Sequence, residues 1–192
     1  MTMTLPLIHG VLVAPSEWKT LIARAGWRIY PYSLGAMVRS AASASTSIDT
    51  EGLGEIAVND YVMVCTLTAY GNSTLFIPDT AKIAKVTAVS GSDSTAQITV
   101  DTALTVSKGD WLFNLETDTG GSSPNYDGSD VTIYDDPVGT NTHSTKYVLT
   151  GSGGTYRAWL TSGLAAVDLL VTDGSGAPQI ALPLVATGPE VV

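Results

Sequence analysis

VDLLVTDGSGAP, residues Val167 to Pro178, runs as a strand into a loop of Asp173, Gly174, Ser175 and Gly176. Under the two-residue period of a strand, Val167, Leu169 and Val171 share one face, and Ile180, Leu182 and Leu184 are spaced to oppose them on the return. The loop between them therefore reads as a hairpin reversal. Its glycines suit the positive φ of tight turns, so an Asp- and Gly-rich loop needs no ligand to explain it.

The same pattern repeats upstream and downstream. VTIYDDP, KYVLTG, TYRAWLTS and QIALPLV are further apolar runs joined by Gly, Ser, Thr and Asn, which predicts an antiparallel β-sandwich over 131–192. ETDTGGSSPNYDGSD, Glu116 to Asp130, is almost free of apolar side chains and predicts a linker at 118–130. Before it, IAVNDYVMVCTLTAY, AKIAKVTAVSG, AQITVDTAL and DWLFNL imply four or five short strands over 51–117. AVNDYVMV and VSKGDWLF echo each other: a polar turn, then Asp, an aromatic and an aliphatic residue, as suits a small β-barrel. Cys65, inside YVMVCTL, reads as a small buried hydrophobe.

The first fifty residues differ chemically. They carry a net charge of +2, against −5 for 51–117 and −6 for 118–192. SEWKTLIARAGW predicts a short helix, with Ser16 as cap, Glu17 at the positive end, Trp18, Leu21, Ile22 and Ala25 on one face, and Gly26 as stop. Leu34–Ala42 has room for another short helix, and the Ser/Ala-rich stretch after Arg39 reads as an extended arm. The expected fold is thus mainly β: an N-terminal arm with one short helix (1–50), a small β-barrel (51–117), a linker (118–130) and a small antiparallel β-sandwich (131–192).

Composition narrows the function classes. With 44% hydrophobic and only 14% charged residues, the 192-residue chain can bury a core and favours β architecture over charged helical bundles. A net charge of −9 repels phosphate backbones, so no nucleic acid is expected as a partner. No apolar run approaches the roughly 18 residues of a membrane span, so no membrane is expected either. The opening MTMTLPLIHGVLVAPSEW lacks a Lys or Arg before its apolar run, and synthesis in the cytoplasm is the expectation. One cysteine excludes an internal disulfide and a cysteine-based zinc site.

Chemistry-bearing motifs are sparse. GSGGTY, Gly151 to Tyr156, precedes a β-prone stretch where a phosphate-binding loop would open a helix, so it reads as a turn. Asp118, Asp127, Asp130, Asp135 and Asp136 raise calcium, but without the register of an EF-hand; that question stays open. Asp135 and Asp136 are adjacent, which on a strand sends them to opposite faces, and His9 and His143 lie in segments of different character. The chain is therefore expected to be no enzyme, with no catalytic residue, no cofactor and no metal.

Trp18, Arg24, Trp27, Arg28, Tyr30 and Tyr32 form the candidate interface, since Trp, Tyr and Arg are the side chains that anchor protein contacts. The alternative is that these rings cover the chain's own barrel. Trp111 and Trp159 would be the stacking residues of a glycan-binding module, the reading from another class.

VTIYDDPVGTNTHSTKYVLTGSGGTYRAWLTSGLAAVDLLVTDGSGAP, Val131 to Pro178, resembles C-terminal β domains of virion structural proteins from tailed bacteriophages. The block from AVNDYVMV to GDWLF is similar to small barrel modules of phage head and tail components. The resemblance implies a capsid decoration or cement-type protein in the virion, made in the host cytoplasm. It would bind capsid or other virion proteins and sibling copies through its N-terminal arm, as a homo-oligomer with a trimer favoured. A tail, neck or fibre component shares the same features. No residue roles are carried over from it.

Overall fold

The computed structural model describes residues 5–15, 21–70, 73–118, 121–126, 131–161 and 163–187. Fifteen strands follow in chain order: β1 (Leu7–Val11), β2 (Val13–Pro15), β3 (Leu21–Ala23), β4 (Arg28–Tyr32), β5 (Ala36–Val38), β6 (Ala42–Glu51), β7 (Tyr61–Tyr70), β8 (Ser73–Ser90), β9 (Gln97–Val106), β10 (Trp111–Glu116), β11 (Ile133–Tyr134), β12 (Val148–Leu149), β13 (Thr155–Leu160), β14 (Ala166–Thr172) and β15 (Pro178–Ala186). The fold is mainly β, as the sequence reading expects. Among the described residues the helical content is two short 3₁₀ turns.

Strands β8, β7, β10, β5, β6 and β9 pair in that order, and β9 pairs back to β8, closing a six-stranded antiparallel barrel. Alternation fills its interior with Val62 and Val64 of β7, Ala84 and Val86 of β8, Ile98 and Val100 of β9, and Leu112 of β10. The echo between AVNDYVMV and VSKGDWLF is one turn used twice. Asp60 accepts the Ala57 N–H at 2.8 Å and Asp110 accepts the Ser107 N–H at 2.8 Å, each carboxylate closing the turn three residues back. The residue before each Asp has positive φ, 81° at Asn59 and 89° at Gly109, as such a turn demands.

The second body is a sandwich. A three-stranded sheet ordered β1-β13-β11 faces the layer β12-β4-β14-β15, with Ile8, Leu160, Ile29, Leu169, Val171 and Ile180 among the residues packed between them. Strand β8 belongs to both bodies. Phe76 pairs with Ala181 of β15, whereas Val86 to Ser90 pair with β9 in the barrel.

A third core lies where the sandwich meets the barrel wall. Tyr30, Tyr32, Leu170 and Ala181 come from one side; Met63, Cys65, Trp111, Phe113 and Leu115 come from the outer face of β7 and β10. Tyr32 meets Phe113 edge-on, with ring centroids 5.1 Å apart. The layer β4-β14-β15 is thereby covered on both faces, which is why every residue from Val167 to Thr172 is buried.

The hairpin forms as expected, with one difference in register. Val171 pairs with Ile180 and Leu169 with Leu182, but Val167 pairs with Val185, so a bulge intervenes. Leu184, expected inside, is instead 58% exposed with φ 53°, and Val185 packs inward in its place. The loop itself is held by Asp173, which accepts N–H bonds from Ser175 and Ala177 and the Ser175 hydroxyl.

The first fifty residues are built into both bodies: β1 and β4 enter the sandwich, β5 and β6 the barrel. The Ser/Ala-rich stretch read as an arm is β6, paired along β9, and the short helix considered over Leu34–Ala42 is replaced there by β5. The helix expected over SEWKTLIARAGW is corrected in part. Ser16 to Thr20 lie outside the described residues, but Leu21–Ala23 is a strand paired antiparallel to Val13–Pro15. Antiparallel pairing with the preceding segment outweighs a helical spacing of only a few apolar residues.

Gly35, between β4 and β5, passes so close to the barrel that a Cβ would stand 2.1 Å from the Leu112 carbonyl oxygen and 2.7 Å from Trp111 Nε1. Gly35→Ala is expected to destabilise the protein by about 3 kcal/mol, read as a lower urea midpoint with an unchanged slope. Cys65 is buried, and burial, reinforced by the charges of Asp168, Asp110 and Asp79, pushes its thiol pKa up. It should resist aromatic disulfide reagents in the native state and react at once in denaturant.

Candidate functional site

Of the six residues read as an interface, Trp18 lies outside the described residues. The other five divide. Tyr30 and Tyr32 are buried in the seam: alternation along β4 turns them away from Ile29, onto the face that the barrel covers. The Tyr32 hydroxyl donates to the Asn125 carbonyl at 2.7 Å. Arg24, Trp27 and Arg28 stay half-buried at the surface. The Arg24 guanidinium lies 5.2 Å from the Trp27 ring centroid, and that of Arg28 lies 5.1 Å from Tyr147 while donating to the Gly174 carbonyl at 3.2 Å.

Arg24 stands at the root of the β2–β3 hairpin. Leu12 N–H donates to the Gly154 carbonyl at 2.8 Å, and the Leu12 carbonyl accepts from Arg24 N–H at 3.2 Å. A Cβ on Gly154 would come within 2.4 Å of the Leu12 oxygen, so the GSGG turn is shaped to seat this root. Among the described residues, β2 and β3 pair with each other and with no other strand.

Two arrangements went unread in the sequence. His143 Nδ1 lies 2.5 Å from Asp135 Oδ1, across a loop that Asp136 organises. Desolvation opposes ionisation of Asp136, yet the N–H groups of Asn141, Thr140 and Val138 and the Thr140 hydroxyl bring its pKa down to about 2. Those donors occupy both of its oxygens. His143 borders a cleft of about 410 Å³ floored by Tyr147, Val148 and Leu149. Thr145, also on that cleft, donates its hydroxyl to the Tyr147 carbonyl.

The other arrangement is Asp168, at 0% exposure in the middle of β14. Its Oδ2 accepts Trp111 Nε1–H at 2.6 Å and Gly35 N–H at 2.9 Å; its Oδ1 accepts Leu184 N–H at 3.0 Å. Burial raises its pKa to about 6 even though the bonds from Leu184, Gly35 and Trp111 favour the ionised form, and the charge of Glu55 adds to the rise. An acid inside VDLLV, flanked by apolar residues on both sides, was the available sign of a buried carboxylate.

Trp111 is thus held by Asp168 and packed edge-on against Phe76, while Trp159 is half-buried with the Arg157 guanidinium 4.6 Å from its ring centroid. Of the acidic residues that raised calcium, Asp127 and Asp130 lie outside the described residues. Among those described, no group of three or more His, Cys, Asp and Glu side chains is placed to hold a metal ion, and no helix is long and apolar enough to cross a membrane. No family model, no curated protein and no solved structure matches the chain.

Asp168 also makes stability depend on pH. Its folded pKa of about 6 lies above the ordinary 3.8, so the folded state holds the proton more tightly than the unfolded chain. The associated stability is fully present below about pH 4 and is lost as pH rises through 6, on the order of 3 kcal/mol. Asp136 and Asp173, whose pKa values are lowered, act with the opposite sign and below this window. Urea unfolding at steps from pH 4 to 7 should show the decline, and Asp168→Asn should flatten it while lowering stability throughout.

Proposed function

We propose that this chain is a structural virion protein of the capsid-decoration type, which attaches to capsid and to sibling copies through the β2–β3 hairpin. The observation that carries the reading is the hairpin itself. It is an element of the first fifty residues that pairs with no other described strand, it is rooted on a glycine turn shaped for it, and it bears the Arg24–Trp27 stack at its base. Trp18, the remaining aromatic candidate, belongs to the sequence between its two strands. Trp and Arg at such a place suit a contact that loses water on docking.

Charge supports the same reading. The segment from Val13 to Arg24 carries Lys19 and Arg24 against Glu17 in a chain of net charge −9, so the hairpin of one copy is attracted to the acidic body of another. Trimeric assembly is taken from decoration proteins by analogy, and a tail, neck or fibre position would use the same hairpin.

Deletion of all fifty residues is the wrong test, since β1, β4, β5 and β6 would be lost with them. Replacing Val13–Ala23 by a short Gly-Ser turn leaves the Leu12–Gly154 root in place. The full chain is expected to sediment as an oligomer; the variant is expected to be monomeric and to attach at least tenfold more weakly to virion particles, with an unchanged thermal melt. A monomeric full chain, or a variant with unchanged mass and attachment, overturns the reading.

A further inference from the structure

Asp168 faces three donors, an arrangement that suits a carboxylate better than a neutral carboxyl. As a carboxylate it accepts three N–H groups from three separate elements: the β4–β5 connection, β10 and the bulge of β15. A carboxylic acid carries an O–H that needs an acceptor, and here N–H groups face both oxygens. A hydroxyl oxygen is also a poorer acceptor than a carboxylate oxygen, so the bond at the oxygen that takes the proton weakens.

Geometry decides which. Oδ2 is gripped twice, once by an indole locked in the seam between Phe76 and the sandwich, at 2.6 Å. Oδ1 is held once, at 3.0 Å, by a residue that is 58% exposed and whose left-handed φ of 53° is unfavourable for a leucine. The ionisable groups that act on the carboxyl do not supply a positive charge to hold it ionised: Glu55, on the connection between β6 and β7, raises its pKa, and Cys65 on β7 is a thiol kept neutral by burial. Asp110 and Asp79, which also act on Cys65, are acidic as well. From the β4–β5 connection and from β15 the groups bonded to the carboxyl are backbone N–H donors.

We propose that Asp168 is a proton-operated latch: uptake of one proton on Oδ1 weakens its bond to Leu184 N–H and loosens the bulge of β15 at that residue, while Oδ2 keeps Trp111 and Gly35. The seam stays closed and β15 loosens at the bulge. Beyond the bulge the pairs Val167–Val185 and Ala166–Ala186 remain as the tether, together with the Thr187 N–H to the Ala165 carbonyl. The device is independent of the assembly role and would stand without it.

The test uses the full chain, labelled with ¹³C and ¹⁵N and assigned by triple resonance, from pH 4.5 to 8. The Asp168 carboxyl carbon, the Leu184 amide and the Trp111 indole N–H are expected to titrate with one common midpoint near 6. Below it, amide exchange at Leu184, corrected for its intrinsic pH dependence, should quicken at least tenfold while the indole N–H stays protected. A carboxyl carbon that does not titrate in this range overturns the proposal. So does one that titrates without faster exchange at Leu184, or with equal loss of protection at Trp111. Because these readings come from the unaltered protein, a variant that fails to fold cannot obscure the result.

Discussion

Asp168 sits mid-strand with its carboxylate inside the protein and N–H groups, rather than a cation, around it. Desolvating a carboxylate is expensive, and the strand remains in place because three donors converge on the group. Each donor belongs to a different part of the chain, so satisfying one side chain sets three distances at once. Trp111 must stand on the outer wall of the barrel at that height, the β4–β5 connection must pass close enough for a glycine N–H, and β15 must bulge at Leu184. Register, seam and crossing point are in this sense one constraint. Gly35 marks its tightest part, since no Cβ fits beneath the Leu112 carbonyl.

From that constraint the layering follows. The sheet β4-β14-β15 is covered by β1, β13 and β11 on one face and by the barrel wall on the other. Strands buried on both faces lose the apolar–polar alternation of an ordinary antiparallel edge, as β14 does. The barrel wall shows the complementary case: Val62 and Val64 fill the interior, and Met63 and Cys65, which would meet water on an isolated barrel, meet the sandwich. With β8 running through both bodies and the N-terminal strands shared between them, barrel and sandwich are joined by covalent path as well as by packing.

Much of the strand content was legible because its signals are local. The hairpin at Asp173 and the twin turns at Asp60 and Asp110 each consist of an Asp bonding N–H groups a few residues away. The N-terminal region was not legible in the same way. SEWKTLIARAGW has helical spacing, yet Leu21–Ala23 is held by Val13–Pro15 and the base by Gly154, more than a hundred residues on. The Ser/Ala-rich stretch carries no strong preference of its own and becomes β6 because β9 offers it a ladder. Tyr30 and Tyr32 looked like surface anchors because RIYPY does not reveal that both faces of β4 are covered. Of the interface candidates with described side chains, Arg24, Trp27 and Arg28 kept surface positions.

The sequence by itself determined that this protein is built of short antiparallel strands with Asp- and Gly-closed turns, that its outer chemistry is acidic, and that its single cysteine lies in an apolar strand. Those properties depend on alternation, turn residues and charge, which act over a few positions of chain. Tertiary structure alone decided that the leader is woven into both bodies and that Leu184 turns outward. It also decided that a lone aspartate joins a tryptophan 57 residues away to a glycine N–H 133 residues away. The physical reason is that a buried carboxylate takes whichever donors the fold brings to it, and nothing in the residues beside it in the chain says which those will be.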